Sequence, residues 1–324
     1  MAGNDDTAAA AACSHVEKSP NDTRDYLAME LPSGMKVILV SDPYTKISAA
    51  AMDVHVGYFS DPDDLPGLAH FCEHLLFLGT DKYPDETSYK GYLKSHGGSG
   101  NAYTDTEDTV YYFDVASDHL LGPDGALDRF AQFFIAPQFT ESATEREVNA
   151  VDAENAKNIT SDYWRLLLVQ NTRTNPKHPH SKFGCGNKKS LLDDPMAQGK
   201  DPRDALLPFF HKYYSAKQMT LVVLGKEPLP ELQQAVQDKF SPVPNRGNGL
   251  RPSLAWIGKV KPFPDVKASE VFNVVPVEEM RSLKVSWTYL LRAWRKRRSS
   301  SMPARFATSC LFWRTRVLGL CYRI

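Results

Sequence analysis

The stretch Gly67-Leu-Ala-His-Phe-Cys-Glu-His-Leu-Leu-Phe-Leu-Gly-Thr80 decides how the rest of the chain is read. Its apolar positions (Leu68, Phe71, Leu75, Leu76, Phe77, Leu78) predict a buried helix, opened by Pro66-Gly67 and closed by Gly79. Positions four apart share a helix face, so His70 and His74 point the same way, one turn apart. Two imidazoles so placed can hold one zinc ion, since tetrahedral zinc accepts histidine nitrogen. Glu73 borders that face and can take the proton of a zinc-bound water. The plain alternative is two surface histidines beside a solvated glutamate. An unpaired glutamate in so apolar a helix would be costly, which argues against it.

Around this helix the composition is that of a globular protein: 324 residues, 42% hydrophobic and 24% charged. The length suits one large domain or two ordinary ones. No apolar run reaches the length of a membrane span. Five scattered cysteines (Cys13, Cys72, Cys185, Cys310, Cys321) form no C-x-x-C pair, and reduced thiols in a cytoplasmic protein are expected. Residues 1–6 carry acids where a signal or transit peptide would carry bases. The net charge of −1 hides an asymmetry. Eleven Lys/Arg and no acids follow Glu279, which leaves 27 bases against 39 acids in residues 1–279. An acidic body is not expected to bind nucleic acid.

Taken in order, residues 1–25 read as a disordered leader. Residues 35–41 and 47–58 read as strands, and the turn Asp42-Pro43-Tyr44-Thr45-Lys46 between them predicts a hairpin. Helices are expected at 85–96 and 125–136, with strands at 101–106 and 109–115 between them. Residues 141–172 read as one long helix and 177–189 as a loop. A helix at 202–214, a strand at 219–225 and a helix at 230–240 follow. A linker at 246–265 precedes a new strand at 271–275. Strands first and helices after them argue an α+β fold, with an antiparallel or mixed sheet covered by helices on one face.

A catalytic zinc usually takes three protein ligands and keeps a fourth position for water. Glu147 and Glu154 are seven apart and share a face of the long helix, so spacing alone leaves both open as the third ligand. Cys72, two residues after His70, points away from the metal and reads as a buried inert thiol; a modifiable thiol is the sharper alternative. The remaining histidines have no partner at metal spacing and read as structural.

H-x-x-E-H is the signature of the inverted zincins. Residues 67–80, 99–114, 126–134 and 145–154, with Asn175-Pro-Lys-His-Pro-His-Ser-Lys-Phe-Gly-Cys-Gly-Asn187, resemble the insulysin–pitrilysin family of that group. The similarity runs from about 26 to 285, with a small insertion near Gly122. It implies a domain of the pitrilysin and mitochondrial-processing-peptidase type, one Zn2+ per chain, and metalloendopeptidase activity on small peptides with Glu73 as general base. In the segment Arg146-Glu-Val-Asn-Ala-Val-Asp-Ala-Glu154 it implies Glu154 as the third zinc ligand and Glu147 as a supporting catalytic carboxylate. It also implies that Asn101 and Ala102 bind the substrate backbone.

The resemblance further implies a zinc catalytic domain at 26–245 and the start of a second related domain at 266–290. The basic tail at 291–324 does not match the family. A truncated or misread gene product, a tail for an anionic partner, and a membrane-surface helix at 311–322 are three readings of it. Family members carry a C-terminal half that supplies an arginine and a tyrosine near the substrate carbonyl. A chain without it is expected to bind zinc and cleave weakly unless a C-terminal half or a second copy completes the chamber. The alternative function is a non-catalytic zinc- and peptide-binding subunit of a larger peptidase.

Overall fold

The computed structural model describes residues 16–247, 259–263 and 274–277, and the backbone of 283–290 and 313–320. Six strands form one mixed sheet: β1 (Asp25–Glu30), β2 (Lys36–Ser41), β3 (Ile47–Val54), β4 (Ser99–Thr104), β5 (Thr109–Ala116) and β6 (Met219–Gly225). Their order across the sheet is β1-β2-β6-β3-β5-β4, with only the β2–β6 pair parallel. Alternation gives the sheet one buried face, carrying Met52, Tyr111, Phe113, Leu221 and Val223, while Tyr112 and Val222 are exposed on the other. Helices cover the buried face, so the α+β expectation holds. They are α1 (Leu68–Leu76), α2 (Ser88–Ser95), α3 (Ala126–Ile135), α4 (Glu141–Asn158), α5 (Asp162–Thr172), α6 (Asp194–Ala197), α7 (Pro202–Tyr213) and α8 (Leu229–Phe240). An aromatic cluster of Phe77, Tyr89, Phe130, Phe133 and Phe134 packs in edge and tilted contacts beneath α1 to α3.

Two local expectations are corrected. The strands at 36–41 and 47–54 do not form a hairpin; β6 lies between them, and β1 is the hairpin partner of β2. The reason is burial: in that slot Leu221 and Val223 sit between Val37 and Leu39 on one side and Met52 and Ala50 on the other. The turn after β2 stays tied to β6, with Asp42 N donating to Gly225 O at 2.9 Å. The long helix at 141–172 is two helices. The chain turns at 159–161, where β-branched Ile159 and Thr160 are followed by Ser161 in extended geometry (φ −106°, ψ 127°).

Most of the leader, the linker and the start of the expected second domain lie outside the described residues. The strand expected at 271–275 falls partly there, and 274–277 form no strand. The helix expected at 311–322 is not formed: β8 (Trp313–Leu320) pairs antiparallel with β7 (Leu283–Leu290). Among the described residues no helix is long and apolar enough to cross a membrane.

Candidate metal centre

The helix α1 is held at its N-terminus by groups far from it in sequence. Asp61, only 2% exposed, accepts hydrogen bonds from Gly67 N (2.7 Å) and Ala69 N (2.8 Å). Those amides lie in the first turn, where backbone donors have no partner within the helix. Burial pushes the Asp61 carboxyl up to about 7, against the pull of these amides. Lys182 Nζ donates to the carbonyls of Phe59 and Asp61, which joins the 177–189 loop to the same corner. Gly67 has φ +97°, and a Cβ there would strike Gly186 Cα and lie 2.8 Å from Gly186 N. Two glycine backbones therefore touch, and the contact delivers the neighbouring Cys185 carbonyl to His70.

That carbonyl accepts from His70 Nδ1 at 2.7 Å, and Glu147 Oε2 accepts from His74 Nδ1 at 3.0 Å. A carbonyl oxygen can only accept, so His70 carries its proton on Nδ1 and presents the lone pair of Nε2. The Nε2 atoms of His70 and His74 lie 3.6 Å and 3.5 Å from Glu154 Oε2. Ligand atoms of a tetrahedral zinc site with bonds near 2.0–2.1 Å are about 3.3 Å apart, so this donor set fits zinc. Two imidazole nitrogens and one carboxylate oxygen also leave a fourth position free. Glu154 is 42% exposed, so the set opens outward from α1.

Packing of α4 on α1 separates the two glutamates. Val148 and Val151 bury one stripe of α4, and Glu147 and Glu154 flank that stripe two turns apart. Glu154 reaches the Nε2 side and Glu147 the Nδ1 side of the histidines. Burial pulls the His74 imidazole down, but its bonds to Glu147 and Glu154 outweigh this and raise it to about 9. The hydrogen bond to His74 holds the Glu154 carboxyl below its usual range, against the push of burial.

Glu73 is 6% exposed and accepts a 2.7 Å hydrogen bond at Oε2 from the Thr104 hydroxyl. Burial raises its pKa, against the pull of His70, Thr104 and His74. Asn101 and Ala102 lie on β4, an edge strand of the sheet, with Asn101 exposed and Ala102 half-buried. Cys72 is fully buried, and burial pushes its thiol pKa up. Among the histidines read as structural, His55 bridges Asp53 (3.2 Å) and Asp108 (3.0 Å), which ties the end of β3 to the turn before β5. Sequence reasoning missed three supports of the site: Asp61, the Cys185 carbonyl and Thr104. An acid seven residues before a helix start is a faint capping signal for the first. Nothing local marks the other two.

Two family profiles match the chain: Insulinase (Peptidase family M16) over residues 36–177, and Peptidase M16 inactive domain over 202–312. The insulin-degrading enzyme of Drosophila melanogaster is 51% identical over 85% of this chain. The chain belongs to the insulinase family of peptidases. A putative zinc protease of Caenorhabditis elegans is 46% identical over 85% of this chain and 31% of its own length. The crystal structure of pitrilysin superposes with a TM-score of 0.72 at 38% identity, covering 84% of this chain and 28% of that one. The chain spans 27% of the fly insulinase-family relative, so it matches only about a quarter of such a protein. The fold of this chain is that of an insulinase-family metallopeptidase domain.

Proposed function

We propose that the chain carries the catalytic site of a zinc metalloendopeptidase acting on small, extended peptides. The observation that carries this reading is the buried Glu73 carboxylate set beside the convergent His70, His74 and Glu154 donors. A subunit that only held peptide would have no use for a carboxylate buried at that point, and this favours the peptidase over the non-catalytic alternative.

His70, His74 and Glu154 would hold the zinc, which when bound polarises the scissile carbonyl and makes water acidic near neutral pH. Glu73 takes the proton of the attacking water on its carboxylate and hands it to the leaving nitrogen. Its burial suits both steps, because a raised pKa brings the carboxyl closer to working pH. The Cys185 carbonyl and Glu147 keep the two rings in the orientation that aims Nε2 at the metal position. The open edge of β4 at Asn101 and Ala102 would add the peptide as a further strand, so main-chain hydrogen bonds give affinity with little sequence preference. The rest of the substrate chamber, with donors to the developing oxyanion, would come from a C-terminal half or a second copy. One such donor is worth about 3 kcal/mol in the transition state, so the described residues alone should turn over slowly.

The test is cleavage of a quenched fluorescent peptide by zinc-loaded protein. Chelator should abolish it, and Glu73→Gln should abolish it while zinc stays bound. Cleavage by Glu73→Gln at the wild-type rate would show that the base is elsewhere.

A further inference from the structure

Thr104 ends β4, an edge strand of the sheet among the described residues, and its hydroxyl lies 2.7 Å from Glu73 Oε2. The direction of that bond is fixed by its neighbours. Thr109, paired with Thr104 across the β4–β5 ladder, donates its own hydroxyl to Val56 O at 2.8 Å and lies 3.5 Å from the Thr104 oxygen. A carboxylate can only accept, so the Thr104 proton points at Glu73. Along β4 the exposed positions are Ser99, Asn101 and Tyr103, while Gly100, Ala102 and Thr104 are half-buried. Thr104 therefore reaches α1 from the same side of the strand as Ala102. A valine would fill the same space and favour the strand equally, so the shape of the site does not require a hydroxyl.

We infer that Thr104 is a positioning residue for the Glu73 carboxylate, linking the setting of the base to the strand that receives the peptide. The inference rests on the peptidase reading above. Without the hydroxyl the carboxylate can turn about its last torsion, which is broad and roughly two-fold. With it, Oε2 is committed to β4 and the plane of the carboxylate is set before substrate arrives. Anything that shifts β4, such as a peptide pairing along its edge, then shifts the partner of the base. Thr104 itself need not touch substrate, so its loss should reach turnover and spare binding.

The experiment compares zinc-loaded wild type, Thr104→Val, Thr104→Ser and Glu73→Gln, all as the full chain, on the quenched peptide. Thr104→Val should lower kcat about 10- to 100-fold, the worth of one hydrogen bond to a charged group, with KM and zinc content unchanged. Thr104→Ser keeps the hydroxyl and should return kcat to within about threefold of wild type. Equal losses in Val and Ser, or a Val variant within about twofold of wild type, would overturn the inference. A second readout does not need turnover: the carboxyl-carbon NMR resonance of Glu73, assigned by its loss in Glu73→Gln. It should move in Thr104→Val and stay in place in Thr104→Ser, and an unmoved resonance in Val would also overturn the inference. Wild-type protein without chelator-sensitive cleavage would sink the peptidase reading, while the resonance would still decide whether Thr104 holds the carboxylate.

Discussion

Gly67→Ala should damage both the stability of the domain and its grip on zinc, and one contact explains both. At φ +97° an L-residue is strained by about 1–2 kcal/mol. The added Cβ would also lie 2.8 Å from Gly186 N, where ordinary contact begins near 3.5 Å. The two backbones must then separate by about 1 Å, an overpacking penalty of about 1–3 kcal/mol. The sum is about 2–5 kcal/mol of stability, read as a shift in urea unfolding. The same movement carries Cys185 away from His70, so their 2.7 Å hydrogen bond is stretched past the limit near 3.2 Å. Losing such a support of a ligand histidine costs about 10- to 100-fold in metal affinity, measured by competition with a chelator. Gly199→Ala is the control. Gly199 has φ +70° and nothing within 4 Å of an added Cβ, so it should show the strain alone and no change in zinc affinity. The reasoning fails if Gly67→Ala matches Gly199→Ala in stability and binds zinc as wild type does.

Other consequences can be checked with ordinary variants. Glu147→Gln keeps an acceptor for His74 Nδ1 but removes the charge, and should weaken zinc binding about 10- to 100-fold. Wild type and variant are compared at one pH, because a proton on His74, whose pKa the two carboxylates raise to about 9, competes with the metal. His178 accepts at Nδ1 from His180 N, and burial lowers its pKa to about 4. The unfolded chain takes a proton on it near pH 6.5 and the folded chain does not, so its contribution is full above that value and is lost as pH falls toward 4. Asp61, raised to about 7, acts the other way in this range, so the comparison is with His178→Gln. That variant should lose up to about 3 kcal/mol less stability than wild type between pH 7 and pH 4, and equal losses would refute the assignment.

The core of the site was legible because helical periodicity is local. His70, Glu73 and His74 sit within five residues, and any helix there puts both imidazoles on one face. Glu147 and Glu154 were legible as a pair but not as roles. Both project from one stripe of α4, and only its packing on α1 sends one to Nε2 and the other to Nδ1. The supports were hidden by distance along the chain: the Cys185 carbonyl is 115 residues from His70, and Thr104 is 31 from Glu73. The hairpin expected between β2 and β3 failed for the same reason. The turn signal at Asp42-Pro43 was local, while the strand that enters the gap begins at Met219. The break at 159–161 was hidden differently, since Ile-Thr-Ser only lowers helix propensity and tertiary packing decides whether a helix runs through.

The most direct test of the metal centre is X-ray absorption at the zinc edge of the loaded chain, with zinc stoichiometry measured alongside. The account predicts one zinc per chain, with two imidazole nitrogens and carboxylate oxygen at about 2.0–2.1 Å, and loss of the ion in His70→Ala, His74→Ala and Glu154→Ala. A sulfur shell near 2.3 Å, or zinc retained at full occupancy after His70 and His74 are both replaced, would contradict it.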